Sequence, residues 1–342
     1  MRRYMALLLA LLLLTGCAGQ PAASPERGEE ANSITVFAMD TVMELTAYGA
    51  DDALMQQAEQ EILELESRLS VTDENSEIYS LNQNGEEQLS PDTEELMERA
   101  LEMCGRTQGA LDISIYPVLR TWGFTTGNYQ IPEASVLAEL LSDVDYSQIT
   151  LHDGRASVAG NMEVDLGSVA KGYTGDKITA LLRENGISSA LLNLGGNVQV
   201  IGGKPSGTPW RVAVQDPESD GYLGILELRD KAAITSGGYE RYFIGEDGQT
   251  YWHIIDPTTG SPARSGLISV TVVGEQGTLC DALSTALFVM GLDRAAEHWR
   301  QNRDFEAVFV AEDGSVWITS GLKDSFALTD EYAGRTLTVI EP

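Results

Sequence analysis

The chain has 342 residues, of which 52 are acidic and 22 are Lys or Arg, so its formal net charge is −30. A chain this acidic repels nucleic acid and anionic membrane surfaces, which excludes nucleic acid as a partner and means that a phosphate ligand needs local cations or a metal. Hydrophobic residues make up 43% of the sequence, enough for a sizeable core in one large domain or two modest ones.

The amino terminus is typical of an export signal. Two arginines precede an apolar run from Met5 to Leu14, and that run is too short to span a bilayer as a finished helix. The run leads into Leu-Thr-Gly-Cys, which resembles the bacterial lipoprotein signal, in which the cysteine is lipidated and becomes the first mature residue. We therefore predict a signal peptide over residues 1–16 and a lipid on Cys17. The alternative is an ordinary secretory leader with a chance cysteine.

The remaining chain divides into a tether and one domain. Residues 17–33 are rich in Ala, Gly, Pro, Ser and Glu, which predicts a lipidated cysteine followed by a flexible tether. Residues 34–342 contain no further linker and are predicted to form the folded domain. Cys104 and Cys280 lie in apolar, helix-like patterns, and we expect buried thiols rather than a disulfide framework.

The hydrophobic pattern predicts helices and strands without strict βαβ alternation, which favours an α+β fold. In chain order, the main predicted elements are a strand at 34–48, helices at 52–70, 91–107 and 132–141, a helix from about 171 to 185, a strand at 189–201, strands at 210–215, 223–228, 232–236 and 268–273, helices at 278–291 and 293–301, and a strand at 336–340. The first helix has a clear buried face, formed by Leu54, Ala58, Ile62, Leu65 and Leu69. Paired glycines within 189–201 predict a bulge or a close approach of the backbone to another group.

One stretch, Val164–Tyr173, gathers groups suited to phosphate. Asp165 is predicted at a strand end, Gly167 allows a tight turn, and Lys171 falls where a helix is predicted to begin. Amide groups at a helix start favour an anion, so this stretch is a candidate phosphate site. The alternative is a structural turn.

Two other positions carry candidate chemistry. Asp281 and Thr285 are four residues apart on one predicted helix face and offer the hard oxygen ligands that magnesium prefers, although such a pair is also common as a cap or a solvated pair. His253 lies at a predicted strand end beside Asp256-Pro257, where a histidine can act as a base near neutral pH or simply pack. The chain lacks zinc-ligand spacing, a Walker loop and a G-x-G-x-x-G motif.

Eight short segments, in this sequence order, closely resemble the ApbE family of FAD:protein FMN transferases. The segments are Met39-Asp40-Thr41, Ser76-Glu77-Ile78, Gly109–Pro117, Val164–Tyr173, Asn193–Asn197, Thr235–Phe243, His253–Gly260 and Asp281–Thr285. The resemblance covers nearly everything from residue 34 onward. It implies a T-fold-like α+β architecture of mixed antiparallel sheets with packed helices.

The resemblance also implies an activity and a set of site residues. Members of the family use Mg²⁺, split the pyrophosphate of FAD, release AMP and attach FMN through a phosphodiester bond to a threonine or serine of a partner protein. By motif, the implied FAD contacts are Met39, Asp112, Ile113, Ser114, Asp165 and Lys171. The implied magnesium ligands are Asp281, Thr285 and the backbone carbonyl of Ser168, and the implied catalytic base is His253.

The implied partners are FAD and acceptor proteins that carry the flavinylated hydroxyl, such as subunits of membrane redox complexes. With a lipid on Cys17, the domain is expected on the extracytoplasmic face of a bacterial membrane. Two alternatives stay open at this point: a magnesium-dependent FAD pyrophosphatase that gives FMN and AMP, and a lipoprotein that binds FAD without chemistry. The sequence names neither the acceptor nor the oligomeric state.

Overall fold

The structure, a computed structural model, describes residues 30–342. The predicted signal peptide and Cys17 lie outside the described residues. The first strand begins at Ala31, so residues 31–33, predicted as the end of the tether, belong to the folded sheet. Across the described range, every helix is too short or too polar to cross a bilayer.

The secondary structure mixes helices and mainly antiparallel strands. The helices are α1 (Asp52–Leu69), α2 (Glu77–Asn84), α3 (Pro91–Arg106), α4 (Tyr116–Trp122), α5 (Ala134–Leu140), α6 (Gly167–Glu184), α7 (Gly277–Met290) and α8 (Leu292–Asn302). The strands are β1 (Ala31–Ala38), β2 (Thr41–Tyr48), β3 (Glu86–Gln88), β4 (Thr150–His152), β5 (Arg155–Ser157), β6 (Ala190–Leu194), β7 (Asn197–Ile201), β8 (Trp210–Gln215), β9 (Tyr222–Leu228), β10 (Ala232–Gly237), β11 (Tyr242–Ile244), β12 (Thr250–Trp252), β13 (Ile255–Asp256), β14 (Ser261–Pro262), β15 (Leu267–Gly274), β16 (Glu306–Ala311), β17 (Val316–Thr319), β18 (Phe326–Leu328) and β19 (Leu337–Ile340). The predicted α+β class is confirmed.

A nine-stranded sheet forms the centre, in the order β1-β2-β6-β7-β10-β15-β16-β17-β19. Its neighbours are antiparallel except β17 and β19, which are parallel. Alternate residues of each strand face opposite sides. In β10, Ile234 packs in a cluster with α7, whereas Ala233 packs with the smaller sheet β18-β9-β8. Helices therefore cover one side of the central sheet, and the smaller sheet covers part of the other. Cys104 and Cys280 are free and buried, as predicted.

Helices α6 and α7 cross unusually closely, because glycines meet at the contact. A Cβ atom on Gly172 would lie 2.3 Å from the carbonyl oxygen of Gly277 and 2.7 Å from the Cβ atom of Asp281. The side-chain amide of Gln199 donates a hydrogen bond to the Gly172 carbonyl (2.9 Å). Asp176 on α6 accepts hydrogen bonds from two amides at the start of α7 (2.6 and 2.9 Å). These contacts fix the two helices against each other.

Two tight turns lie side by side at one end of the central sheet. The segment 189–201, predicted as one interrupted strand, is instead the hairpin β6–β7, with Gly195 and Gly196 at its turn and positive φ angles of 65° and 94°. Met39 and Asp40 form the corresponding turn between β1 and β2, with φ angles of 50° and 59°. Two positive φ angles are typical of the type I′ turn that suits two-residue hairpins. The turns are neighbours because β2 pairs with β6.

A separate hairpin, β11–β12, is anchored by stacked aromatic rings. The ring of Phe243 lies 5.1 Å from that of Tyr129 and 5.3 Å from that of Tyr251, both in stacked geometry. Tyr251 also packs 5.2 Å from Trp122 on α4. Such pairs contribute about 0.5–1.5 kcal/mol each beyond the area that they bury. These aromatic contacts therefore hold the base of the hairpin in place. The chain enters the hairpin at residue 241 and leaves it at residue 253.

Candidate active site

A cleft of about 870 Å³ opens between the α6–α7 crossing, the β1–β2 turn and the base of the β11–β12 hairpin. This volume lies within the range of about 300–1,000 Å³ typical of small-molecule sites. Most of the predicted site residues line it. They are Met39, Asp112, Asp165, Ser168, Lys171, His253, Asp281 and Thr285. The fold therefore brings together side chains that the sequence separates by more than 200 positions.

Ile113 and Ser114 do not line the cleft, and both side chains are buried behind its wall. The backbone amide and hydroxyl of Ser114 donate to the Asp112 carboxylate, at 2.9 and 2.6 Å. The Ile113 carbonyl accepts from the Asp165 amide at 2.8 Å. These two predicted FAD contacts therefore support Asp112 and Asp165, which do reach the cleft. Burial raises the pKa of Asp112.

Met39 occupies the left-handed region, which is uncommon for a residue with a bulky side chain. Its amide donates to the Glu66 carboxylate at 2.6 Å. Its sulfur accepts from the Thr174 hydroxyl of α6 at 3.8 Å. Contacts from two helices therefore hold this turn at the edge of the cleft, as expected for strained backbone at a functional site.

The start of α6 differs from the prediction. The helix begins at Gly167, so Lys171 lies one turn inside it. The carboxylate of Asp165 accepts a hydrogen bond from the Gly167 amide at 2.7 Å. One of the amides expected to bind phosphate therefore already has an anionic partner. Burial raises the pKa of Asp165, while the charges of Arg241 and Lys171 oppose that rise.

Asp281 is the most enclosed carboxylate of the cleft. It accepts hydrogen bonds from the Gly172 amide (2.8 Å) and the Asn197 side-chain amide (3.1 Å). Burial raises its pKa, against the positive charge of Lys171. Within residues 30–342 it forms no ion pair at 4.0 Å or less. A buried carboxylate without a close cation is costly, so this position favours a bound cation.

Hydroxyl groups adjoin this carboxylate on α7 and β10. The Ser236 hydroxyl lies 2.8 Å from that of Ser284 and 3.2 Å from that of Thr285. Thr285 lines the cleft, whereas Ser284 is fully buried and donates to the Asp281 carbonyl at 2.8 Å. The cleft therefore presents Thr285, not Ser284, beside Asp281.

These oxygens fit magnesium better than a softer metal. Residues 30–342 contain no group of three or more His, Cys, Asp or Glu residues placed to hold a metal ion. The predicted set has one carboxylate, Asp281, with the Thr285 hydroxyl and the Ser168 carbonyl. Magnesium commonly takes one or two protein carboxylates and completes its octahedron with water and substrate phosphate. An all-oxygen set with one buried carboxylate agrees with that preference.

His253 is held in one orientation by the chain at the hairpin base. Its Nδ1 atom lies 3.2 Å from the carbonyl oxygen of Arg241, and its amide donates to the same oxygen at 3.1 Å. A carbonyl only accepts, so Nδ1 carries the proton and Nε2 keeps its lone pair. Burial, reinforced by the Arg241 guanidinium, lowers the pKa of His253 to about 4. The imidazole is therefore neutral near pH 7 and able to accept a proton.

The prediction assigned no role to Glu240 and Arg241, which also line the cleft. Burial raises the pKa of Glu240 to about 7, and Asp281 adds to that effect, while Lys171 and Arg241 oppose it. The Arg241 guanidinium lies 3.8 Å from the Asp40 carboxylate across the cleft. Both residues belong to one of the eight segments of the resemblance, and that membership was the only signal in the sequence.

Comparison with known proteins identifies a family. The model of the ApbE family matches residues 39–309. The FAD:protein FMN transferase of Treponema pallidum is 33% identical over 253 residues, covering 69% of this chain and 70% of that protein. The enzyme of the same name from Vibrio cholerae is 31% identical over 306 residues, covering 86% of this chain and 89% of that protein.

Solved structures share the fold. The ApbE protein of Thermotoga maritima superposes with a TM-score of 0.80 at 30% identity, covering 86% of this chain and 98% of that one. A histidine-to-glycine variant of the flavin transferase ApbE of Vibrio cholerae gives a TM-score of 0.78 at 27% identity, covering 86% and 99%. The predicted ApbE architecture is confirmed. The family match over most of the sequence, the relatives and the shared fold together establish that this chain belongs to the ApbE family and is an FAD:protein FMN transferase.

Proposed function

We propose that the protein transfers FMN from FAD to a threonine or serine hydroxyl of an acceptor protein, forming a phosphodiester bond and releasing AMP, with Mg²⁺ as the required metal. The observation that carries this proposal is the arrangement of His253. Its Nδ1 is bound to the Arg241 carbonyl, and Nε2 is left as a proton acceptor in the same cleft as Asp281. A neutral base and a buried oxygen ligand are the two groups that such a transfer needs.

Two cations of the cleft suit the pyrophosphate of FAD. Lys171 and Arg241 both line it, and the charge of each acts on Asp165, Glu240 and His253. The chain as a whole carries −30 and would otherwise repel a dianionic ligand. We infer that these side chains bind phosphate oxygens and orient the phosphorus that is attacked.

The chemistry is a displacement at the FMN phosphorus. The acceptor hydroxyl gives its proton to Nε2 of His253, and its oxygen forms a bond to that phosphorus. The bond from that phosphorus to the bridging oxygen breaks, and AMP leaves with the oxygen. A hydroxyl is a poor nucleophile until its proton is accepted, so the base contributes about 10²–10⁴ in rate. The residues require no covalent intermediate with the enzyme.

Asp281, Thr285 and the Ser168 carbonyl are the proposed magnesium ligands. When bound there, the metal supplies positive charge to phosphate oxygens and to the leaving AMP. The protein contributes the buried carboxylate, which the Gly172 amide and the Asn197 side chain hold in place.

The cellular setting is part of the proposal. The Leu-Thr-Gly-Cys pattern supports lipidation at Cys17 and attachment to the extracytoplasmic face of a bacterial membrane. From that position the enzyme reaches exported or membrane-bound acceptors, and we propose that these include subunits of membrane redox complexes.

The test compares Asp281→Asn with Asp324→Asn, a control that removes the same charge from an exposed side chain outside the cleft. Each protein is incubated with FAD, Mg²⁺ and a purified protein that the Vibrio cholerae relative flavinylates. We expect flavin on the acceptor with the parent and the control, and a loss of at least about 10²-fold with Asp281→Asn. FMN and AMP without labelled acceptor would instead identify a pyrophosphatase, and unchanged FAD would identify a binding protein.

A further inference from the structure

The imidazole of His253 has one hydrogen bond to hold it. Its Nδ1 atom binds the Arg241 carbonyl at 3.2 Å, and in the part of the chain that the structure describes the ring makes no other hydrogen bond. The second side-chain torsion of a histidine is broad, so one contact at Nδ1 leaves the plane of the ring free to tilt. A proton acceptor at Nε2 therefore needs a second contact that fixes the direction of its lone pair.

Phe124 makes such a contact. The centroid of its ring lies 6.4 Å from that of the imidazole, with an angle of 65° between the two planes, which is an edge-to-face arrangement. Aromatic rings favour this geometry at centroid distances of about 4.5–7 Å. Phe124 lines the cleft, yet only 4% of its surface is exposed. A tilt of the imidazole toward this side is therefore blocked by a buried ring.

The loop after α4 holds Phe124 in place. Gly123 has a φ of 87°, and a Cβ atom there would clash with the carbonyl oxygen of Asn128, so the loop closes tightly on itself. The amide of Phe124 donates a hydrogen bond to the Leu119 carbonyl at 3.2 Å. Its ring also packs edge-on against Tyr129, with the centroids 5.7 Å apart. The ring therefore cannot swing away from the imidazole unless the loop opens.

One buried cluster contains both Phe124 and the chain that leaves the proposed base. Its members are Val118, Trp122, Phe124, Leu137 and Ile255. Ile255 lies two positions after His253, so its burial fixes the backbone on that side of the base. On the other side, the ring of Phe243 on β11 lies 5.9 Å from that of Phe124. Phe124 is therefore packed against both ends of the segment that presents the imidazole.

We propose that Phe124 is a positioning residue for FMN transfer: its ring holds the His253 imidazole so that Nε2 faces the acceptor hydroxyl, and it keeps water from that side of the imidazole. This inference rests on the proposed function, in which His253 is the base. Phe124 lies between the third and the fourth of the eight segments that carry the family resemblance, so those motifs assign it no role. It has no group that exchanges a proton, and it acts through His253.

The same contact has a consequence for the pH dependence of transfer. Burial is the main cause that lowers the pKa of His253 to about 4; the charges of Arg241, at the start of β11, and of Lys171, on α6, add to it, and the hydrogen bond to the Arg241 carbonyl opposes it. Phe124→Ala would admit water beside the imidazole and leave both charges in place. Water favours the charged form, so the pKa of His253 should rise toward its ordinary value of about 6.5, and transfer by the variant should be lost at a higher pH on acidification.

The test compares Phe124→Ala and Phe124→Leu with Phe326→Ala as the control, since Phe326 is also buried but packs with the smaller sheet outside the cleft. The kcat and KM for the acceptor protein flavinylated by the Vibrio cholerae relative are measured at about pH 8, where the imidazole is neutral in every variant, together with the Kd for FAD. We expect kcat to fall about tenfold in Phe124→Ala and about threefold in Phe124→Leu, with KM and Kd within about twofold of the parent. Phe326→Ala should keep the parental kcat per folded molecule.

The second readout needs no substrate. The chain has three histidines, so nitrogen chemical shifts of histidine-labelled protein, with His253→Ala to identify the signal, give the pKa of His253 directly. That pKa should rise above about 5 in Phe124→Ala. It should stay near its parental value in Phe124→Leu, which keeps an apolar wall, and in Phe326→Ala.

Three results would overturn the positioning role. One is a parental kcat in both variants of Phe124. Another is a raised Kd for FAD or a raised KM for the acceptor with kcat unchanged, because Phe124 would then be a substrate contact. The third is an equal loss of kcat in Phe326→Ala. Parental transfer by His253→Ala would instead overturn the base of the proposed function, and the nitrogen spectra would still show whether Phe124 shields the imidazole.

Discussion

The close crossing of α6 and α7 makes Gly172→Ala the sharpest test of the architecture around the cleft. The added Cβ atom would lie 2.3 Å from the Gly277 carbonyl oxygen, whereas ordinary contacts begin at 3.4 Å, so the helices must separate by about 1.1 Å. The obstructing atoms are backbone on one side and the Cβ atom of Asp281 on the other, and neither can rotate away. Separation would also stretch the hydrogen bond from Gln199 to the Gly172 carbonyl.

The expected magnitude follows from three contributions. Overpacking costs about 1–3 kcal/mol. A weakened hydrogen bond from Gln199 costs about 0.5–1.5 kcal/mol. Alanine is more favourable than glycine in a helix by up to about 1 kcal/mol, which opposes both costs. We therefore expect Gly172→Ala to lower the free energy of unfolding by about 0.5–4.5 kcal/mol.

Gly105→Ala is the matched control. Gly105 also lies in a helix, near the end of α3, but a Cβ atom there would meet nothing within 4 Å. The same substitution should then stabilise the protein by up to about 1 kcal/mol, since only the helix preference remains. The two substitutions are chemically identical and are predicted to have opposite signs.

Urea denaturation of the parent and both variants measures the free energy of unfolding. The rate of FMN transfer reports on the geometry of the active site. Because the obstruction includes Asp281, transfer by Gly172→Ala should fall further than its residual folded fraction explains. Equal midpoints for Gly172→Ala and Gly105→Ala would refute the reasoning, since they would mean that the crossing relaxes without cost.

Three other predictions concern single positions. His253→Ala should lower FMN transfer by about 10²-fold or more while changing the affinity for FAD less than about tenfold, and a parental transfer rate would reduce His253 to a packing residue. Burial lowers the pKa of His298 below its ordinary value of 6.5. As the pH falls below about 6.5, His298 is protonated in the unfolded chain before it is protonated in the folded protein, so the folded protein loses stability. His298→Gln removes that contribution, and its stability difference from the parent should shrink between about pH 7 and pH 5 in urea titrations. Cys17→Ser should abolish incorporation of labelled fatty acid, and labelling that persists in this variant would disprove the lipid anchor.

The long helices could be predicted from sequence because a helical pattern of hydrophobic residues is clear only when it extends over several turns. The predicted helix at 52–70 is observed as α1, and the five residues assigned to its buried face are buried. Helices α2 and α4 have eight and seven residues and were not predicted, whereas α5, which also has seven residues, was predicted at 132–141. In α2 the Ser76 hydroxyl accepts from the Tyr79 amide at 2.9 Å, so a local cap supports a helix that hydrophobicity does not reveal.

Glycine pairs and short turns were harder to interpret. The Gly195-Gly196 pair predicted a bulge or a close approach of the backbone, and only the pairing of β6 with β7 shows that the two glycines form a hairpin turn. Ile113 and Ser114 follow Asp112 in a turn whose side-chain directions the sequence does not specify. Most residues implied by the resemblance line one cleft, but the resemblance did not distinguish residues that face the cleft from residues that support it.

The β11–β12 hairpin can change in length at its tip without moving its base. Arg241 and His253 stand at the two ends of a continuous segment, and the strands between them are pinned by aromatic rings rather than by the central sheet. Insertions at the exposed Gly245–Gly248 tip would leave that paired base unchanged, since exposed loop tips tolerate added residues. A change in the length of this tip would therefore leave Arg241 and His253 in their present positions.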